Sequence, residues 1–181
     1  MMKKMVLAAA MAVGLVFAVV ASAAPTTTFG AATVNADGSV LLNSSASPFV
    51  AGIDLSVPGG TFVGDLAAFS TDTNFANGCP SGVPKLAIGT PRGTISISLA
   101  WVSGFSCASG THSAYVLNAT TQVDTGQILG GTVNDTWGHA KSEYDNLKVD
   151  SVQLVTTGAN QTVTVANVLL VINHGAPTAS L

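Results

Sequence analysis

The chain has 181 residues, a formal charge of −3 and only 8% charged side chains, with six Lys or Arg against nine Asp or Glu. That balance leaves no basic patch to neutralise phosphates, which argues against nucleic acid and against an anionic membrane surface as partners. The length suffices for one domain with a sizeable core.

The N-terminus reads as a secretory signal peptide over residues 1–23. Lys3 and Lys4 form a basic n-region, Met5 to Val20 an apolar h-region, and Ala21-Ser22-Ala23 an A-x-A cleavage site. The h-region of 16 residues is short for a membrane span of about 20. No cysteine follows the site, which argues against a lipoprotein anchor. Cleavage is expected before Ala24, giving a secreted domain over 24–174 and a loose tail over 175–181. Without Lys3 and Lys4, four basic side chains face nine acidic ones, a balance of about −5.

A β-hairpin is expected first, with Thr26 to Val34 and Val40 to Leu42 flanking the turn sequence Asn35-Ala36-Asp37-Gly38-Ser39. Val50 to Val57 follows as a strand with Ile53, Leu55 and Val57 inward. Thr61 to Phe69 is a further strand, and Ser70 to Pro84 a long polar loop of the length that often carries function. Leu86 to Ile88 is a short strand. Thr94 to Val102 is expected as a central strand: Ile95, Ile97, Leu99 and Trp101 alternate with Thr94, Ser96, Ser98 and Ala100, the period of a half-buried strand. On that reading Trp101 belongs to the core and Ser98 faces solvent. Ser103 to Thr111 is a second Gly/Ser loop and Ser113 to Leu117 a strand, with a brief pairing over Gln127 to Leu129. Ala140, Tyr144 and Leu147 fall at helical spacing, so one short helix is expected near 140–148. Val149 to Val155 and Thr162 to Ile172 are expected as a closing pair, the second carrying a bulge or lying centrally after Ala166. Many short strands and one helix give an all-β fold, a single β-sandwich of jelly-roll type.

Two cysteines in an exported chain favour one disulfide, Cys79–Cys107, over two buried thiols. It would tie the two long loops together. They carry Asp72, Asn74, Phe75 and Asn77, and Trp137 within Asn134-Asp135-Thr136-Trp137-Gly138-His139 could border the same rim. An aromatic with amides and a carboxylate nearby is the composition of a small polar-ligand site, so these five residues are the candidate binding set. Trp137 as a core plug is the competing reading. A rim role predicts that Trp137→Ala and Phe75→Ala weaken binding without changing thermal stability.

The segment Phe69-Ser70-Thr71-Asp72-Thr73-Asn74 leading to Cys79-Pro80-Ser81-Gly82-Val83-Pro84-Lys85-Leu86-Ala87-Ile88 resembles a motif of secreted, largely uncharacterised bacterial jelly-roll proteins with galactose-binding-like sandwiches. Cys107, Trp137 and the closing Val165, Asn167 and Val168 fall in the same order. Ala166 stands where such modules often have Asp, and Thr157-Gly158 where they often have Asp-Gly. The resemblance implies fold and export.

No nucleophile elbow, zinc-protease helix, phosphate loop or EF-hand run is present. His112, His139 and His174 lie far apart and read as solvated or loop-packing residues. Nothing singles out the carboxylate pair that glycoside hydrolysis needs, so catalysis is not expected. No cofactor is expected; calcium is a conceivable ion, with Asp72, Asn74 and Asp150 as conceivable ligands. Sequons at Asn43, Asn118, Asn134 and Asn160 matter only in a glycosylating host. The function expected is an exported, non-catalytic sandwich that binds an extracellular carbohydrate or cell-wall glycan. The alternative is a structural or adhesion protein of the extracellular matrix acting by self-association.

Overall fold

A computed structural model describes residues 27–173 apart from 46, 48, 77, 80–82, 104, 109 and 159–160. Residues 1–23, expected as a signal peptide, and the expected tail over 175–181 lie outside the described residues, as do Asn77, Asn160 and His174. Among the described residues the strands are β1 (Thr27–Gly30), β2 (Ala32–Val34), β3 (Val40–Asn43), β4 (Val50–Leu55), β5 (Leu66–Phe75), β6 (Lys85–Thr90), β7 (Gly93–Ser98), β8 (Thr111–Tyr115), β9 (Gln122–Val123), β10 (Asp135–Thr136), β11 (Ser151–Thr157) and β12 (Thr162–Ile172), with one α-helix, α1 (Trp137–Glu143). Two five-stranded antiparallel sheets result, ordered β1-β4-β11-β6-β7 and β2-β3-β12-β5-β8, plus the small β9–β10 pair.

The sandwich core follows from period-2 alternation on both sheets. Ile53 and Leu55, Leu86 and Ile88, Ile95 and Ile97, and Val152 and Leu154 come from the first sheet. Val40 and Leu42, Phe69 and Phe75, and Val163 and Val165 come from the second, and all belong to one buried cluster. Burial of each such side chain stabilises the fold by about 1.5–3 kcal/mol relative to exposure.

The expected first hairpin is split between the sheets. β1 pairs with β4, while β2 forms the hairpin with β3 across the Asn35–Ser39 turn. At the break, the Ala31 N–H donates to the Val50 carbonyl of the first sheet at 3.0 Å and its carbonyl accepts from Asn43 N–H of the second at 3.2 Å. Gly30 makes the step possible. Its φ is +63°, and a Cβ there would collide with the Val50 carbonyl oxygen.

β5 also corrects the sequence reading, running on to Phe75 through residues expected in a loop. Thr71 and Thr73 point inward, and their hydroxyls donate to the carbonyls of Ala166 (3.2 Å) and His112 (3.3 Å). Buried hydroxyls are tolerated when so bonded, and the polar composition concealed a strand.

β7 stops at Ser98, short of the expected Val102, and Leu99–Trp101 forms a single 3-10 turn closed by Val102 N–H to the Leu99 carbonyl at 3.1 Å. The strand is not central but lies at the edge of its sheet. Its outer side is covered by reciprocal backbone bonds between Ser96 and Asp124, at 2.9 and 2.8 Å. Ser98, expected to face solvent, is buried.

Three further differences concern the second half of the chain. Gln127 to Leu129 lies in a turn, and the pairing falls at β9–β10 instead. The helix begins three residues before the expected Ala140 and ends at Glu143, its Thr136 N-cap hydroxyl accepting from His139 N–H at 3.3 Å. β11 and β12 are not a closing pair, since they lie in different sheets. The irregularity foreseen after Ala166 is present: the β12–β5 register shifts between Ala166 and Leu169, with Asn167 at φ +48°.

Candidate functional site

The disulfide is formed. Cys79 and Cys107 are joined with their Cα atoms 5.4 Å apart, linking the loop after β5 to the loop before β8. Since β5 and β8 pair directly, the crosslink closes the end of a ladder that also packs Phe75 against Phe105, ring centroids 5.8 Å apart and edge to face. With 28 residues of separation, chain entropy assigns the bond about 3–4 kcal/mol. A Cys79→Ser/Cys107→Ser variant is expected to lose that much in urea unfolding, and thiol titration of the native wild type to find no free sulfhydryl.

The five candidate binding residues do not form one rim. Phe75 is fully buried and Trp137 is 3% exposed, so both rings are core rather than ligand platforms. Asp72 and Asn74 sit on the outward face of β5, and Asn77 lies outside the described residues. The Asp72 carboxylate accepts from the Ser113 hydroxyl at 2.5 Å and from Asn167 Nδ2 at 2.6 Å. Those two bonds, Ser113 first, hold its pKa below the ordinary aspartate value. Asp72 thus braces the β12 bulge against β5 and β8. Asp150, grouped with it as a conceivable calcium ligand, precedes β11 of the other sheet and lies 3.8 Å from the Lys148 ammonium.

The exposed tryptophan is Trp101, which the alternation had assigned to the core. At 38% exposure it lines a cleft of about 150 Å³ with Ser103, Asn118, Thr120 and Thr121. A second hollow of about 370 Å³, lined by Ala68, Phe69, Leu117, Asn118 and Ala119, shares Asn118 as its wall. The sequence signal for this arrangement was weak: nothing in Leu99-Ala100-Trp101 announces a 3-10 turn, and that turn is what brings the indole to the surface.

The rim is built rather than loose. The turn over Asn118–Thr121 closes with Thr121 N–H to the Asn118 carbonyl at 2.9 Å. The first N–H groups of α1 then clamp it, Trp137 donating to the Thr121 carbonyl at 2.8 Å and Gly138 to the Ala119 carbonyl at 2.9 Å. A Cβ on Gly138 would press on the Ala119 carbonyl at 3.0 Å. The helix in turn is fastened to β5 by Lys141, whose ammonium donates to the Leu66 carbonyl at 3.0 Å. Burial holds the Lys141 pKa below the usual lysine value, with Asp65 opposing.

Chemically the cleft offers one exposed aromatic face, an amide and hydroxyls. Its described lining residues include no carboxylate, imidazole or amine. Side chains suited to hold a metal lie elsewhere, at Asp135, His139 and Glu143 on the stripe leading into and along α1. Among the described residues no helix is long and apolar enough to cross a membrane. No family model, curated protein or solved structure matches this chain.

Proposed function

We propose that the protein is an exported, non-catalytic jelly-roll sandwich that binds an extracellular carbohydrate, of the cell-wall glycan type, at the Trp101 cleft. The observation that carries this reading is the half-exposed indole beside Ser103, Asn118 and Thr120. Sugar rings present C–H faces that lie on an aromatic surface and hydroxyls that exchange bonds with amides and hydroxyls. The cleft is small against the few hundred Å³ of an enclosing ligand pocket. It suits one ring of a longer glycan resting on an open surface. A lining without paired carboxylates favours binding over hydrolysis.

The jelly-roll assignment draws on strand order. With the edge strands β1 and β2 set aside, the sheets read β3-β12-β5-β8 and β4-β11-β6-β7, eight strands in the two interlocked Greek keys of that architecture. The same order accords with the resemblance to secreted bacterial jelly-roll proteins. Export draws on the leader-like residues 1–23 together with a disulfide, which persists in oxidising compartments. A second reading, matrix adhesion by self-association, draws on Leu129 and Val133, exposed at 86% and 58% in the loop between β9 and β10.

A glycan array on the mature domain tests the leading reading. The chain has two tryptophans, and Trp101 is the exposed one, so a bound glycan should change its emission in a fluorescence titration. Trp101→Ala should weaken binding at least about tenfold, or ~1.4 kcal/mol, with the thermal midpoint unchanged. Wild type that binds no glycan, or Trp101→Ala that binds as wild type does, would overturn it.

A further inference from the structure

We infer that Asp135, His139 and Glu143 form a binding site for a first-row divalent cation, with Zn²⁺ the ion the donor set suits best. The inference stands independently of the carbohydrate reading.

His139 and Glu143 fall at i and i+4 on α1, opposite the face that buries Trp137 and Ala140, and Asp135, in β10 just before the Thr136 N-cap, is brought against His139. His139 Nδ1 lies 2.8 Å from Asp135 Oδ1 and 3.7 Å from Glu143 Oε2, and one ligand atom from each residue lies within 4.8 Å of the others. Donors about 2.0–2.2 Å from a shared zinc stand roughly 3–3.5 Å apart. The Asp135–His139 pair is already close to that separation. A rotation of the exposed Glu143 side chain suffices to bring in the third.

Asp135 supplies the independent reason to expect a cation. Its side chain is only 7% exposed, and a buried carboxylate is costly without a positive partner. Its other partners are neutral donors: the Thr136 N–H at 2.7 Å to Oδ1 and the Thr125 hydroxyl at 3.4 Å to Oδ2. Among the described residues the sole ion-pair partner reaching it is His139. Those neutral donors do what outer-sphere groups do around metals, fixing the carboxylate's orientation before the ion arrives.

Two carboxylates and a neutral imidazole carry a charge of −2, which a divalent ion neutralises. On binding, Nδ1 gives up its place as hydrogen-bond donor to Asp135 and becomes a ligand, the ring proton residing on Nε2. The His139 and Glu143 side chains are 65% and 46% exposed, leaving the remaining coordination positions to water. Nitrogen among the donors selects zinc and its first-row neighbours over calcium and magnesium, which prefer all-oxygen sets.

The test is a Zn²⁺ titration by calorimetry of chelator-treated, untagged protein. Wild type is expected to bind one equivalent, uncompeted by millimolar Mg²⁺ or Ca²⁺. His139→Ala and Glu143→Gln, both at exposed positions, should each weaken binding at least about tenfold. His112→Ala, on β8, should bind as wild type does. Zinc should raise the thermal midpoint of wild type and leave that of His139→Ala where it was. Wild type that takes up no zinc below millimolar concentration, or a His139→Ala variant that binds as tightly as wild type, would overturn the site.

Discussion

Ile97→Asp is expected to leave no folded protein. Ile97 is fully buried in β7, opposite Leu86 across the β6–β7 ladder. An aspartate there loses several kcal/mol of apolar burial and adds an unpaired charge to the core. Against a typical net stability of about 5–15 kcal/mol, that is enough to remove the native state. Circular dichroism should lack the native sheet spectrum, and urea unfolding should show no cooperative transition. A cooperative transition with a native spectrum would refute the placement. Ser98→Asp supplies the contrast. The alternation alone expects it to be neutral, but Ser98 is 8% exposed. Its register partner is Lys85, exposed at the start of β6, whose ammonium can reach a carboxylate on the same face. Ser98→Asp should therefore fold, at a cost of about 1–3 kcal/mol.

Trp137→Ala is expected to cost about 3–5 kcal/mol, the usual range for emptying a buried aromatic site. The indole is 3% exposed, and its residue anchors α1 through the backbone bond to Thr121. That backbone bond survives the substitution, so the loss comes from the emptied core site. Trp101→Ala should stay within about 0.5 kcal/mol of wild type, as surface substitutions do. Quenching by acrylamide separates the two further. In the Trp101→Ala variant the remaining emission, from Trp137, should be blue-shifted and nearly inaccessible. An unchanged thermal midpoint for Trp137→Ala would return that residue to the surface and reopen the rim first expected from the sequence.

Trp101 left the core that the alternation gave it for a definite reason. Period-2 alternation is a local rule, and it held for Ile95 and Ile97 because those residues are in a ladder with β6. Past Ser98 the ladder ends and the chain turns 3-10, so extrapolating to Trp101 failed. For Trp137 the sequence left a rim role and a core plug both open, because Asn134, Asp135, Thr136 and His139 surround it, and the core plug is what the fold makes of it. In space it opens a helix whose buried face it shares with Ala140. The Asp135, His139 and Glu143 spacing was likewise readable only with the helix start in hand, and Trp137 does not announce one.

From sequence alone the class of the fold was determined: short alternating strands, turn residues between them and a single helix admit little besides an antiparallel β-sandwich. The Cys79–Cys107 bond was determined too, since two cysteines allow one pairing. Which strands share a sheet was decided only in three dimensions. The split of Thr27–Val34 at Gly30, and the separation of β11 from β12, depend on backbone partners far along the chain. So did the fate of Ser70–Phe75, whose threonines are acceptable inside only because the Ala166 and His112 carbonyls wait for their hydroxyls. Local pattern states what a residue prefers. Exposure, and with it the choice of candidate site, depends on what the rest of the chain places beside it.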